Sequence, residues 1–272
     1  MYCSIVGEEY IPQLKKIWRD CYPEDSLEYI EMFFSDAFPK AKCVAGIDNG
    51  MVVGVIYLFP CTILDNMPAF YFYAGAVFTH LRGKGYYRQI IDYAIKYTKE
   101  MGREFLCHPM PHLIDFYVEM GFTEKYYHTY LNYKFNESKS NYKFQMVDLT
   151  ALKAFNMMKK AAGKGYILWD LEMMDYVLMD YKFSDGICRK VIVNDSEEYY
   201  IFARKEADCV KITETSMPPE LIGEIANELM AEFKCDKLVA QTFANKGDEK
   251  YLSCVSSKHI NEPTKWFTLI MF

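Results

Sequence analysis

The chain lacks the features that mark several protein classes. No apolar run is long enough to span a bilayer, and the opening Met1-Tyr2-Cys3-Ser4-Ile5-Val6-Gly7-Glu8-Glu9 has no basic stretch followed by an apolar one, so a soluble, cytoplasmic protein without a membrane partner is expected. Cys-x-x-Cys pairs are absent. The nine cysteines (Cys3, Cys21, Cys43, Cys61, Cys107, Cys188, Cys209, Cys235, Cys254) are scattered and odd in number, which argues against a disulfide framework or zinc ribbon and for thiols used as small core residues. A basic excess is missing too: with 31 Lys and Arg against 37 Asp and Glu, the net charge of −6 offers no field to draw a phosphate backbone, and no nucleic-acid partner is expected. His108 and His112 have a helical metal-ligand spacing, but Pro109 and Pro111 prevent regular helix between them, so no metal site is expected. Gly163-Lys164-Gly165 lacks the earlier Gly and the following Ser/Thr of a P-loop and reads as a turn.

What is present is a folded protein of two-domain size, with 272 residues, 51% hydrophobic and 25% charged. The first half alternates strands and helices. A strand at 2–6 precedes a helix carrying Ile11, Leu14, Ile17 and Trp18, and a second helix carries Leu27, Ile30, Phe33 and Phe34 behind Ser26 as N-cap. Asn49-Gly50 between the apolar runs 43–47 and 51–59 predicts a tight hairpin, because both turn positions favour positive φ. A strand over 69–77, a helix ending at Gly102, a strand at 104–107, a short helix stopped by Gly121 and a strand over 126–135 follow. The polar run from Asn136 to Asn141 reads as a linker between a domain over 1–136 and one over 142–272. Beyond it the order recurs: helices near 149–162 and 171–181, a hairpin over 189–204, a strand at 210–215, a helix at 219–233 and a strand at 238–242.

Arg82-Gly83-Lys84-Gly85 separates a buried strand from an amphipathic helix. Backbone N–H groups there point outward at a helix N-terminus, the glycines let an anion approach, and Arg82, Lys84 and Arg88 add positive charge, so a pyrophosphate fits. This strand, loop and helix resemble the acetyl-CoA site of the GNAT acetyltransferases, whose signature Arg/Gln-x-x-Gly-x-Gly/Ala is matched at Arg82 and Gly85 and departs at Tyr87. Tyr86-Tyr87-Arg88 is similar to the form in Eis-type acetyltransferases, and Phe116-Tyr117-Val118-Glu119-Met120-Gly121-Phe122 resembles the end of the family's motif B helix.

The resemblance implies an α/β (α+β) fold of two tandem GNAT-like domains, each a mixed, mostly antiparallel twisted sheet flanked by helices. The first would hold acetyl-CoA and the second would be degenerate, since Pro218-Pro219 removes donors that a phosphate needs. It implies an N-acetyltransferase acting on a primary amine of a small molecule or peptide through a tetrahedral intermediate. The cofactor would contact Val77, Phe78, Thr79, Arg82, Gly83, Lys84, Gly85, Tyr86, Tyr87 and Arg88, with the thioester near Cys107 and His108. Backbone N–H groups near Val77-Phe78 would stabilise the oxyanion, and Tyr117 would protonate the departing thiolate. Glu28, Glu31, Asp65, His108, the Phe272 carboxylate and water stay open as the base. Two alternatives also stay open: a non-catalytic acyl-CoA sensor, and a tandem-GNAT aminoacyl transferase, against which the acidic charge weighs.

Overall fold

A computed structural model describes residues 1–63, 67–137, 139–162, 166–243 and 251–256, with backbone alone for 124–128, 243 and 251–256. Asp65, the Gly163-Lys164-Gly165 turn and the Phe272 carboxylate lie outside the described residues. The chain divides into two compact units: Met1–Glu124 with Cys254–Asn261, and Lys125–Ser253 with Glu262–Phe272. The division falls within a strand rather than in the polar run after Asn136, because the strand's later residues pair into the second unit's sheet, His128 through Lys134 opposite Phe243 through Lys237.

The first unit is built on β1 (Tyr2–Val6), β2 (Lys42–Asp48), β3 (Met51–Ile63), β4 (Met67–Val77) and β5 (Glu104–Cys107). Successive strands from β1 to β4 pair antiparallel, and β5 lies parallel to β4. The β2–β3 turn has Asn49 at φ +48° and Gly50 at φ +78°, as the Asn-Gly pair predicts. Helices α1 (Ile11–Cys21) and α2 (Leu27–Met32) precede β2, with the Ser26 side chain accepting from Tyr29 N–H; a single π turn, Phe33–Ala37, extends α2. Trp18, Phe33, Phe34, Tyr57 and Phe59 are buried together, ring to ring, and burial of each such side chain stabilises the unit by ~1.5–3 kcal/mol. The crossover from β4 to β5 is α3 (Tyr86–Glu100), which buries Ile90, Ile91 and Ala94. It lies close to β3: a Cβ on Gly54 would come within 2.8 Å of Ile90 Cδ1 and 2.7 Å of Val77 Cγ2. A short helix, α4 (Ile114–Glu119), leads into β6 (Thr123–Lys134).

The second unit contains β7 (Phe144–Asp148), α5 (Ala151–Ala161), β8 (Ile167–Trp169), α6 (Leu171–Phe183), β9 (Ile187–Val193), β10 (Glu197–Glu206), β11 (Cys209–Thr215), α7 (Pro219–Phe233) and β12 (Lys237–Phe243). Its sheet runs β6-β12-β11-β10-β9-β7, antiparallel except for β11 beside β12, with α7 as the crossover between that parallel pair. Ile222, Ile225, Leu229 and Met230 of α7 are buried against Ile212, Leu238 and Ala240. Both units thus have the expected mixed, mostly antiparallel sheet with helices. Sequence patterning did not reveal β7, β8 or β13 (Tyr251–Ser256); Val255 and Ser256 of β13 pair with Cys107 and Leu106 of β5.

Candidate active site

Two local events in β4 shape the site. Val55 pairs with Ala76 and Tyr57 with Tyr73, so Ile56 of β3 faces both Ala74 and Gly75: a β-bulge, with Ala74 forced to φ +47°. Pairing of β4 with β5 ends at Phe72 opposite Cys107, so among the described residues no strand lies beside the far edge of β4 from Tyr73 to Val77. The parting of β4 from β5 therefore begins at Cys107, with half-buried His108 next in the chain.

The end of α1 serves this open edge. Tyr22 Oη donates to the Gly75 carbonyl at 3.0 Å, Cys21 Sγ donates to the Val77 carbonyl at 3.3 Å, and Asp20 Oδ2 accepts from Thr79 N–H at 2.7 Å. That last bond is the main reason the Asp20 carboxyl is held below the usual carboxylate range. Nothing in the sequence pointed to these three residues; the only hint was the small Ala74-Gly75-Ala76 run, where a bulge leaves carbonyls to be satisfied.

Beyond β4, the loop enters α3 through Gly83 at φ +78° and Gly85 at φ +75°, where other residues are strained. Among the described residues, nothing accepts a hydrogen bond from the amides of Gly83, Lys84, Gly85, Tyr86, Tyr87 or Arg88, and no side chain caps α3. These donors lie on an exposed turn at the positive end of a four-turn helix. Arg82 folds back, its Nε donating to the Val77 carbonyl at 3.3 Å, while Arg88 reaches Glu119 at 3.3 Å across the Phe116 ring. Lys84 is exposed and forms no ion pair among the described residues.

Tyr117, from α4, is buried, and its hydroxyl lies 2.8 Å from that of Tyr87 on the first turn of α3. Burial pushes both phenols far above their usual range. The pair sits against the bulge: a Cβ on Gly75 would come within 2.5 Å of the Tyr87 hydroxyl. Phe78 corrects one expectation, since its N–H already donates to the Val53 carbonyl at 3.1 Å. By strand alternation the Val77 amide then points to the open edge. Of the described candidate bases, Glu31 pairs with Lys15 at 2.5 Å on an exposed surface, Glu28 is exposed, and His108 borders the parting of β4 and β5.

The sequence profile of the acetyltransferase (GNAT) domain matches residues 4–124, which hold the bulge, the open edge, the amide loop and the phenol pair. Residues 4–124 are a GNAT acetyltransferase domain. Acetyl-CoA is the co-substrate of that family, and its acyltransferase chemistry accords with a loop of unpaired donors. Solved structures with the same fold include a conserved Enterococcus faecalis V583 protein described as a probable N-acyltransferase, 11% identical, with a TM-score of 0.74 over 93% of this chain and 71% of that one. A GCN5-related N-acetyltransferase from Anabaena variabilis is 10% identical, with a TM-score of 0.70 over 93% of this chain and 71% of that one. Eis1 from Mycobacterium abscessus is 8% identical, with a TM-score of 0.64 over 94% of this chain and 73% of that one. At such identities the likeness is one of fold. No curated protein sequence gives a match. Among the described residues, no helix is long and apolar enough to cross a membrane.

Proposed function

We propose that this chain transfers the acetyl group of acetyl-CoA directly to a primary amine of a small molecule or peptide, using one cofactor site in its GNAT domain. The observation that carries the reading is that, among the described residues, the amides from Gly83 to Arg88 at the start of α3 have no acceptor, a fit for a pyrophosphate. Lys84, Arg82 and Arg88 would supply charge around it, and Thr79, Tyr86 and Tyr87 flank it. The pantetheine arm would run along the open edge of β4 as an added strand does, past Val77 and Phe78, bringing the thioester to the parting near Cys107 and His108.

An amine held there in neutral form attacks the thioester carbonyl, and the Val77 amide is aimed toward the edge where the oxyanion develops. Collapse breaks the carbon–sulfur bond. The thiolate takes the Tyr117 hydroxyl proton, and the proton lost by the amine nitrogen returns to Tyr117 through water, so the sum is amide and free thiol. The second unit, on this reading, is a degenerate GNAT-like domain that binds no cofactor, and the reaction takes place in the cytoplasm.

Calorimetric titration with acetyl-CoA, followed by a thiol-release screen over polyamines, aminoglycosides and lysyl peptides, tests the reading. Binding at one site with thiol release on one of these amines supports it. Binding with no release on any of them favours an acyl-CoA sensor, and no binding removes the cofactor assignment.

A further inference from the structure

At the position of Tyr87 the family signature has Gly or Ala; the residue is half-buried, and taking its hydroxyl out of water is costly unless it has a partner. Its hydroxyl meets the Tyr117 hydroxyl at 2.8 Å, and no other partner exists for either group among the described residues. The ring packs against Phe116, with centroids 5.8 Å apart, and a Cβ on Gly75 would come within 2.5 Å of the hydroxyl and 2.4 Å of the Phe72 ring. Tyr87 therefore ties three parts of the site together: the first turn of the amide loop's helix, the β4 bulge and the proposed acid on α4. Either hydroxyl can donate, and a hydroxyl hydrogen rotates to suit the charge it meets.

We propose that Tyr87 is a positioning residue for the acid: its hydroxyl donates to Tyr117 Oη while the Tyr117 hydroxyl turns to the sulfur of coenzyme A, so the two phenols act as one donor chain. This rests on the reading that the GNAT domain binds coenzyme A. When the carbon–sulfur bond breaks, the Tyr117 proton passes to sulfur. The electron pair left on Tyr117 Oη is held by the Tyr87 hydroxyl, which keeps its own proton, until water returns the proton released by the amine. A donor chain of this kind strengthens each link. Gly75 has a matching role, since its missing side chain leaves room for the Tyr87 hydroxyl.

The donor chain can be read without knowing the amine. Phenols that donate to sulfur favour the thiolate of bound coenzyme A, lowering its pKa below that of the free thiol. Affinity for coenzyme A must then rise with pH from the bound pKa to the free one, while affinity for acetyl-CoA, which has no thiol to ionise, supplies the baseline. Calorimetric titrations of both ligands between pH 7 and 9.5 should give a ratio of affinities that rises with pH in the wild type, by about tenfold for each unit of lowering. Tyr117→Phe should abolish the rise and Tyr87→Phe should cut it by more than half; any change in cofactor binding common to both ligands cancels in the ratio. A Tyr87→Phe response equal to or steeper than the wild type overturns the proposal, because Tyr87 then only packs or competes for the Tyr117 proton. A flat response in the wild type overturns it as well. Failure of both ligands to bind instead overturns the cofactor reading itself, and this inference with it.

Discussion

The turn from β4 into α3 and the turn from β11 into α7 hold the same place in two sheets of like topology. Each follows a bulged strand, Ala74-Gly75 in β4 and Thr213 in β11, and each opens the helix that crosses to a parallel neighbour. Their backbones are finished in opposite ways. In the first, the amides from Gly83 to Arg88 have no acceptor among the described residues. In the second, Ser216 N–H donates to the Tyr200 carbonyl and Met217 N–H to Thr215 Oγ1. Pro218 and Pro219 have no N–H, and Leu221 and Ile222 both donate to the Pro218 carbonyl. The bulges differ as well. Gly75 leaves room for a phenol, whereas β11 fills its end with buried Thr213 and Glu214, bonded to Tyr181 and Tyr200. A helix start that satisfies its own donors is a structural joint, and one that leaves them open has the form of an anion site.

The comparison can be broken at several points. The largest effect is expected at the acid. Tyr117→Phe should lower turnover by ~10²–10⁴-fold on any amine that serves as acceptor, with acetyl-CoA affinity unchanged, as steady-state kinetics beside calorimetry would show. Next is the backbone of the loop: Gly85→Val forces a β-branched residue to φ +75°, a strain of ~1–2 kcal/mol, and cofactor affinity should fall by about five- to thirtyfold. The mirror change, Pro218→Ala with Pro219→Ala in the second loop, should leave acetyl-CoA affinity unchanged, and a second binding site appearing there would contradict the contrast drawn between the loops.

Much of the contrast is legible in the amino-acid sequence, because it rests on backbone chemistry that residue types dictate. Glycine at 83 and 85 and proline at 218 and 219 announce which turn exposes donors and which lacks them. Asn49-Gly50 specifies the hairpin for the same reason, and the bounds of β5 and α7 follow from their residue patterns to the residue. Long-range pairings are not legible. The end of α1 supplying Cys21 and Tyr22 to the carbonyls of β4, and Tyr87 meeting Tyr117, join residues far apart in the chain by side-chain reach, which no periodicity encodes. The short strands β7 and β8 escape notice because their few residues carry too little alternation to register. The placement of the unit boundary is hidden too, since a polar run signals what cannot be buried and says nothing of where a strand changes sheets.

A smaller effect is expected at Lys84, the loop's exposed cation: Lys84→Ala should weaken acetyl-CoA binding a few-fold at low salt and less at high salt, measured as affinity against ionic strength. The smallest is at Asp20. Its carboxyl pKa is lowered in the fold, so its bond to Thr79 N–H contributes above the ordinary carboxylate pKa and is lost as pH falls through the lowered value. Thr79 amide exchange should therefore lose protection on acidification in the wild type, after correction for intrinsic rates, and much less so in Asp20→Asn.

Backbone hydrogen exchange with and without saturating acetyl-CoA tests the central claim most directly, by following peptides over residues 78–90 and 214–223. The account predicts strong slowing in the first and no change in the second. Equal protection of both loops, or none in the first, would contradict it.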